Sequence, residues 1–142
     1  MMTRALVGIA LDAIRSAGAD VTLPQFRLLL ALDGLGRVPS SKLASRLGLA
    51  ASAITRMVDR LEQAGLVQRG THQGNRTIVT VELTVAGRRL VTGALAHRKE
   101  RLAAVLDRMG PDDREAAVRV ALEFARLSGD AVAVGAAGPV PL

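Results

Sequence analysis

The chain contains no cysteine, no tryptophan and no tyrosine, and has only two phenylalanines, Phe26 and Phe124, among its 142 residues. Without cysteine there are no disulfides, no thiolate metal ligands, no cysteine nucleophile and no thiol redox sensor. The shortage of aromatics leaves almost no platforms for base stacking, which argues against single-stranded nucleic acid as the main ligand. No apolar run approaches the roughly 18 residues of a membrane-spanning helix. The opening MMTRALVGIALDAIRSAGAD has an early arginine and apolar residues, as a signal peptide does. Asp12 and Arg15 interrupt it, however, and a helical stripe accounts for it better. A cytoplasmic protein without a membrane partner is expected. Clustered Asp/Glu/His sets, a P-loop and a GxGxxG motif are also missing, so neither an enzyme nor a cofactor is expected.

What the chain does have is aliphatic bulk and a concentrated positive charge. Hydrophobic residues make up 49% of it, enough for a core of Leu, Val, Ile and Ala. Its length suits one domain, or one domain with an oligomerisation extension. The formal net charge is +6. Nine basic residues (Arg37, Lys42, Arg46, Arg56, Arg60, Arg69, Arg76, Arg88, Arg89) and three acidic ones (Asp59, Glu62, Glu82) lie between Arg37 and Arg89. The rest of the chain, with ten of each sign, is neutral. Excess charge confined to one segment points to a polyanion, because phosphate neutralisation and counterion release drive nucleic-acid binding. A solvated basic face is the plainer alternative, but it does not predict such partitioning.

At the centre of that segment, SAITRMVDRLEQAG (52–65) reads as a two-faced helix. Ile54, Met57, Val58 and Leu61 repeat at i, i+3, i+4 and i+7 and suit a core. Ser52, Thr55, Arg56 and Asp59 take the same spacing on another side, and Gly65 ends the helix. Such a helix is either an ordinary amphipathic surface element or one built to read a major groove. Before it, SKLASRLG forms a helix capped by Ser40 or Ser41, with Leu43, Ala44 and Leu47 inward, and Gly48 ends it. Helix, tight turn, helix is the spacing of a helix-turn-helix. Ala50 occupies the expected N-cap of the second helix, a poor residue there, with Ser52 as the alternative cap.

The flanks complete the plan. Residues 2–17 form a helix with Leu6, Ile9, Ala10, Ala13, Ile14 and Ala17 on one stripe. Thr22 caps the next helix, Pro24 sits in its first turn, and FRLLLALDGL is apolar on two sides, as an element between layers should be. Arg37-Val38-Pro39 is a short extended piece. After Gly65, LVQRG is extended, THQGNR is a turn and TIVTVEL a strand, in which Val79, Val81 and Leu83 alternate with Ile78, Thr80 and Glu82. This hairpin is a wing whose tip, with His72, Gln73, Asn75 and Arg76, reaches phosphates or the minor groove. Thr84 caps a long helix to Arg108 with a seam of Val91, Leu95, Leu102, Leu106 and Met109. A last helix follows Asp112 and Asp113 and carries Val118, Ala121, Leu122, Ala125 and Leu127.

The fold class is therefore mainly α with a small β-hairpin wing. A winged helix-turn-helix occupies 21–87, a helical dimerisation region is formed by 1–20 and 88–130, and 131–142 is a flexible tail. The terminal helices carry more apolar surface than the winged module covers, so a homodimer is expected, with residues 2–18 packing with 90–128 of both chains.

VTLPQFRLLLAL (21–32), KLASRLGL (42–49), SAITRMVDRLEQAGLVQR (52–69) and VELTVAGRRL (81–90) resemble the MarR family of bacterial transcription regulators. The resemblance runs from Val21 to about Leu127. It implies a winged-helix homodimer on a pseudo-palindromic operator of double-stranded DNA, usually as a repressor, released by a small organic effector. By position it puts Ser52, Thr55 and Arg56 against bases, beside Ala53. Ser40, Ser41, Arg60 and Arg69 approach phosphates, and the wing contributes His72, Asn75, Arg76 and Thr77. Ion pairs with Asp59, Glu62 and Glu82 are the alternative use of Arg60, Arg69 and Arg88. The family's wing carries Asp-x-Arg where this chain has Asn75-Arg76-Thr77. Either Arg76 takes over the minor-groove role or the wing adds less affinity. An effector pocket would lie near Arg15, Phe26, Arg27 and Leu30. His72 and His97 read as solvated or DNA-facing residues rather than metal ligands. The competing class is a winged helix that binds protein and keeps its wing as scaffold.

Overall fold

A computed structural model describes residues 2–18, 20–72 and 74–127, in two compact units divided between Lys99 and Glu100. In chain order the elements are α1 (Met2–Ser16), α2 (Leu23–Leu35), β1 (Val38–Pro39), α3 (Ser40–Leu47), α4 (Ala51–Gln63), β2 (Val67–His72), β3 (Asn75–Leu83), α5 (Val85–Leu106) and α6 (Pro111–Leu127). None of the described helices is long and apolar enough to cross a membrane. The expected tail, 131–142, lies outside the described residues.

The first unit is organised around α2. Its start is a capping box: the Thr22 backbone N–H donates to Gln25 Oε1 at 2.8 Å, the Gln25 backbone N–H returns to Thr22 Oγ1, and Pro24 sits in the first turn. Phe26, Leu28, Leu29 and Leu32 are buried, so both expected apolar sides are used. Ala13 and Ile14 of α1 and Leu90, Val91 and Ala94 of α5 belong to the same core as Leu43 of α3 and Ile54, Val58 and Leu61 of α4. The two terminal segments expected to form a separate layer thus contribute α1 and the first turns of α5 to the core of the winged module. The stripe read on α4 faces inward, with Met57 half-buried at its edge.

The sheet has three strands, not the two of a simple hairpin, in the order β1-β3-β2 and antiparallel throughout. Val38 pairs with Val81 and Pro39 with Thr80, so the piece read only as extended is an edge strand. The wing strands also run closer to the tip than expected: Val67 pairs with Leu83, Gln68 with Glu82, Gly70 with Thr80 and His72 with Asn75, with an irregularity between Thr71 and His72. The alternation in β3 holds only at its root. Val81 and Leu83 are buried, but Val79 is 46% exposed and Thr80 only 2%. Val79 lies past the core, whereas Thr80 sits between Pro39 of β1 and Gly70 of β2.

One capping expectation is corrected, and of the two readings at the start of α4 the first, Ala50, holds. Neither Ser40 nor Ser41 caps α3: the helix begins at Ser40, and Pro39 stands at the cap without a side-chain hydrogen bond. The pairing of Pro39 with Thr80 brings the chain straight from strand into helix, so no serine reaches the cap position. Ser52 does not cap α4 either. Ala50 holds that place in an extended conformation, leaving Ser52 in the first turn.

The far end of α4 is closed more firmly. Gly65, at φ +71°, donates to Glu62 O, and Leu66 donates to Leu61 O, both at 2.9 Å, a Schellman closure. Thr84 then fastens this turn to α5. Its hydroxyl donates to Gly65 O at 2.6 Å and accepts the Gly87 N–H at 3.1 Å, while its own N–H donates to Leu66 O at 3.1 Å. A Cβ on Gly87 would stand 2.0 Å from the Leu66 carbonyl oxygen.

In the second unit, α6 has no buried residue, and Val118, Val120, Leu122, Phe124 and Leu127 are exposed. Arg114 donates Nε to Leu106 O at 3.0 Å and lies 3.4 Å from Asp107, closing the end of α5.

Gly87→Ala should lower unfolding stability by about 1–3 kcal/mol or more, because the clash is with backbone and cannot rotate away. Gly93→Ala, in the same helix with nothing within 4 Å, should be neutral or gain about 0.4–1 kcal/mol. Urea denaturation of the two variants checks this, and equal midpoints would refute the close contact.

Candidate nucleic-acid interface

With its apolar stripe turned inward, α4 presents Ser52, Thr55, Arg56 and Arg60 to solvent, and Ala53 is half-buried between them. The Thr55 hydroxyl donates to Ala51 O at 3.0 Å and is left as an acceptor. Ser52, freed from capping, keeps both capacities. On the preceding helix Ser41, Lys42 and Arg46 are exposed and Ser40 is half-buried. Thr77 is exposed on β3, whereas the side chains of His72, Asn75 and Arg76 lie outside the described residues.

The charged groups sort into two sets. Arg69, on β2, donates Nη1 to Glu62 and Nη2 to Asp59, both on α4, and its backbone N–H reaches Glu62 Oε1 at 3.2 Å. The hydrogen bond to Asp59, with Glu62 adding to it against partial burial, holds the Arg69 guanidinium above its ordinary pKa. Arg37 donates to Glu82 Oε1, which also accepts Gln68 Nε2 at 2.8 Å. Arg37 first, then Gln68, hold the Glu82 carboxyl below its usual range. Arg88 lies 3.8 Å from Asp33. All three acids of the basic segment are therefore engaged by Arg37 and Arg69. Among the described residues no hydrogen bond or ion pair holds Lys42, Arg46, Arg56, Arg60 or Arg89, and all five are exposed. Arg69 is placed as an internal clasp between wing and helix, while Arg60, given the same alternative, is left unpaired.

Of the residues expected around an effector, Phe26 is in the core, Leu30 packs against it, and Arg15 and Arg27 are exposed. His97 is half-buried on α5, and no group of three or more His, Asp or Glu among the described residues could hold a metal ion. Sequence reasoning missed the roles of Arg37, Gln68 and Asp33. Arg37 meets Glu82 only because β1 joins the sheet, and a two-residue strand leaves no periodic signal.

Residues 21–79 match the model of the MarR family. The chain is 29% identical over 97 residues to YfiV, an uncharacterized HTH-type transcriptional regulator of Bacillus subtilis (strain 168), covering 68% of this chain and 61% of that protein. It thus spans about three fifths of that relative's length. It is 30% identical over 106 residues to the HTH-type transcriptional repressor MdtR of the same organism, covering 75% of this chain and 68% of MdtR. The fold is similar to the crystal structure of RV1404 from Mycobacterium tuberculosis, with a TM-score of 0.83, 35% identity, and coverage of 88% and 86% of the two chains.

Arg69→Met should cost about 1 kcal/mol, since it leaves Asp59 and Glu62 facing each other without their shared cation, an interaction that solvent partly screens. Arg69→Lys should restore the loss only in part, because a single ammonium nitrogen must serve both carboxylates that Nη1 and Nη2 meet separately. Arg60→Met should stay within about 0.5 kcal/mol of the parent. Chemical denaturation of the three variants measures this, and an Arg69→Met protein as stable as the parent would remove the clasp.

Proposed function

This chain is a member of the MarR family of transcription regulators, and we propose that it acts as a homodimeric repressor on a pseudo-palindromic DNA operator. One observation carries the reading. Among the described residues, the outward face of α4 and the helix before it display Lys42, Arg46, Arg56 and Arg60 unpaired, while every acid of the same segment is engaged elsewhere. A protein-binding scaffold has no need of such a surface, and a phosphate backbone does.

In this reading Arg56 holds a guanine edge through its fork, with Ser52 and Thr55 beside it. Arg60, Ser40 and Ser41 meet phosphates, and Arg76 takes the minor-groove position, flanked by His72, Asn75 and Thr77. The exposed apolar residues of α1 (Leu6, Val7) and of α6 support association of two copies. Arg15 and Arg27 suit a small organic anion as effector, and entry beside Leu30 requires the core around Phe26 to open. The protein works in the cytoplasm, beside the chromosome.

Selection of duplexes from random DNA should enrich two half-sites about one helical turn, ~10 base pairs, apart. Arg56→Ala should cost about 1–3 kcal/mol on that duplex and relax discrimination at one position. Arg60→Ala should weaken all duplexes alike and lower the salt slope by about 0.9. Failure to enrich any sequence would sink the proposal. Sedimentation at micromolar concentration should show a dimer, and a folded, monodisperse monomer would overturn that part.

A further inference from the structure

Among the cations of the basic segment, Arg37 is used unlike the rest. It stands in the bend between α2 and β1, and its guanidinium donates to the one oxygen of Glu82, on β3, that also accepts from Gln68, on β2. Gln68 and Glu82 are cross-strand partners at the wing's root, and Val38, next to Arg37, pairs with Val81. A single carboxylate oxygen therefore joins the entry to β1 with both wing strands.

The seat of this side chain is equally specific. A Cβ at Gly70 would lie 3.9 Å from Arg37 Cζ and 3.3 Å from Thr80 Oγ1. The guanidinium thus lies over β2 where that strand has no side chain. Thr80, the partner of Gly70, is buried beside it, and its hydroxyl has no hydrogen-bond partner among the described residues. Thr80 Oγ1 and the Arg37 guanidinium thus both lie within 4 Å of the point where a Gly70 side chain would begin.

β1 pairs with β3 only at Thr80 and Val81. From Thr80 to the tip the wing is a two-stranded ribbon, which is marginally stable alone and free to twist. Its direction is set at the root. We propose that Arg37 is a positioning residue for DNA binding, whose clamp on Glu82 and Gln68, seated over Gly70, sets the angle at which the wing leaves the domain. The proposal rests on the reading that the wing touches DNA. A direct phosphate contact by Arg37 is the rival use of the same charge.

Glu82→Ala separates the two. It removes a negative charge near a polyanion, so charge alone makes binding tighter, whereas loss of the clamp makes it weaker. The probes are a labelled duplex carrying the sequence enriched by the wild-type protein and a random-sequence duplex of equal length. Arg37→Met and Glu82→Ala should each bind about threefold or more weakly, with the double variant no weaker than the worse single one. In the DNA-free proteins, backbone amides of residues 70–79 should exchange faster in both variants while those of α4 keep their protection, which separates wing motion from general unfolding. The proposal is overturned if Glu82→Ala binds as well as or better than wild type, or if wing exchange is unchanged. A fall of about 0.9 in the salt slope of Arg37→Met, with Glu82→Ala tighter, assigns Arg37 to a phosphate instead. If the wild-type protein binds neither duplex, the functional reading fails and the exchange measurement alone judges the clamp.

Discussion

The proposed DNA-reading surface depends on the joint where α4 ends. Its last turn is closed at Gly65, and Thr84 then ties that turn to α5 through three hydrogen bonds that involve Gly65, Leu66 and Gly87. The joint fixes three directions together: the exit of α4, the entry to β2 just after Leu66, and the start of α5 just after β3. If α5 lay further from Leu66, the root of the wing and the end of α4 would separate. The absence of a side chain at residue 87 is what permits the approach. Arg69 reinforces the joint from the strand side by holding Asp59 and Glu62.

That clasp also shapes the electrostatics. An acid on the outward side of a recognition helix repels phosphate, and Asp59 and Glu62 are two such acids within two turns of Arg56. Holding both on one guanidinium offsets one of their two negative charges and ties both carboxylates to β2, and Arg37 offsets the charge of Glu82. The remaining positive charge of the segment therefore lies on exposed side chains that no ion pair holds among the described residues. Such cations lose less on meeting phosphate than ones already paired, because no internal bond has to break first.

The elements with strong periodicity were legible in the sequence: the four-residue stripe of α4, the two-sided α2 with its Thr22 cap, and the long α5 behind Thr84. Their patterns come from burial repeated over several turns, which a linear reading detects. What escaped depended on contacts between distant residues. Pro39 displaces Ser40 from the cap because β1 pairs with β3, and Thr80, flanked by Pro39, is buried while Val79, beyond that pairing, is exposed. The candidate site divides in the same way. The outward residues of α4 follow from helix geometry, but the use of Arg69 as a clasp, with Arg60 unpaired among the described residues, depends on β2 lying beside α4, which no local pattern encodes.

The second unit poses the converse problem. A helix of 17 residues with no buried side chain, such as α6, has little to stabilise it in water, where short isolated helices are marginal. Its exposed Val118, Leu122, Phe124 and Leu127 have no role in a lone chain. In the proposed homodimer they acquire one, and the consequence reaches the DNA. On the proposed reading, the five cations of the basic segment that are unpaired among the described residues and one short helix face give each copy binding that is largely independent of sequence. Joining two copies makes the second half-site contact intramolecular, so that discrimination at the two half-sites multiplies rather than averages. In that proposed dimer, apolar residues that contact no base become a condition of sequence recognition by α4.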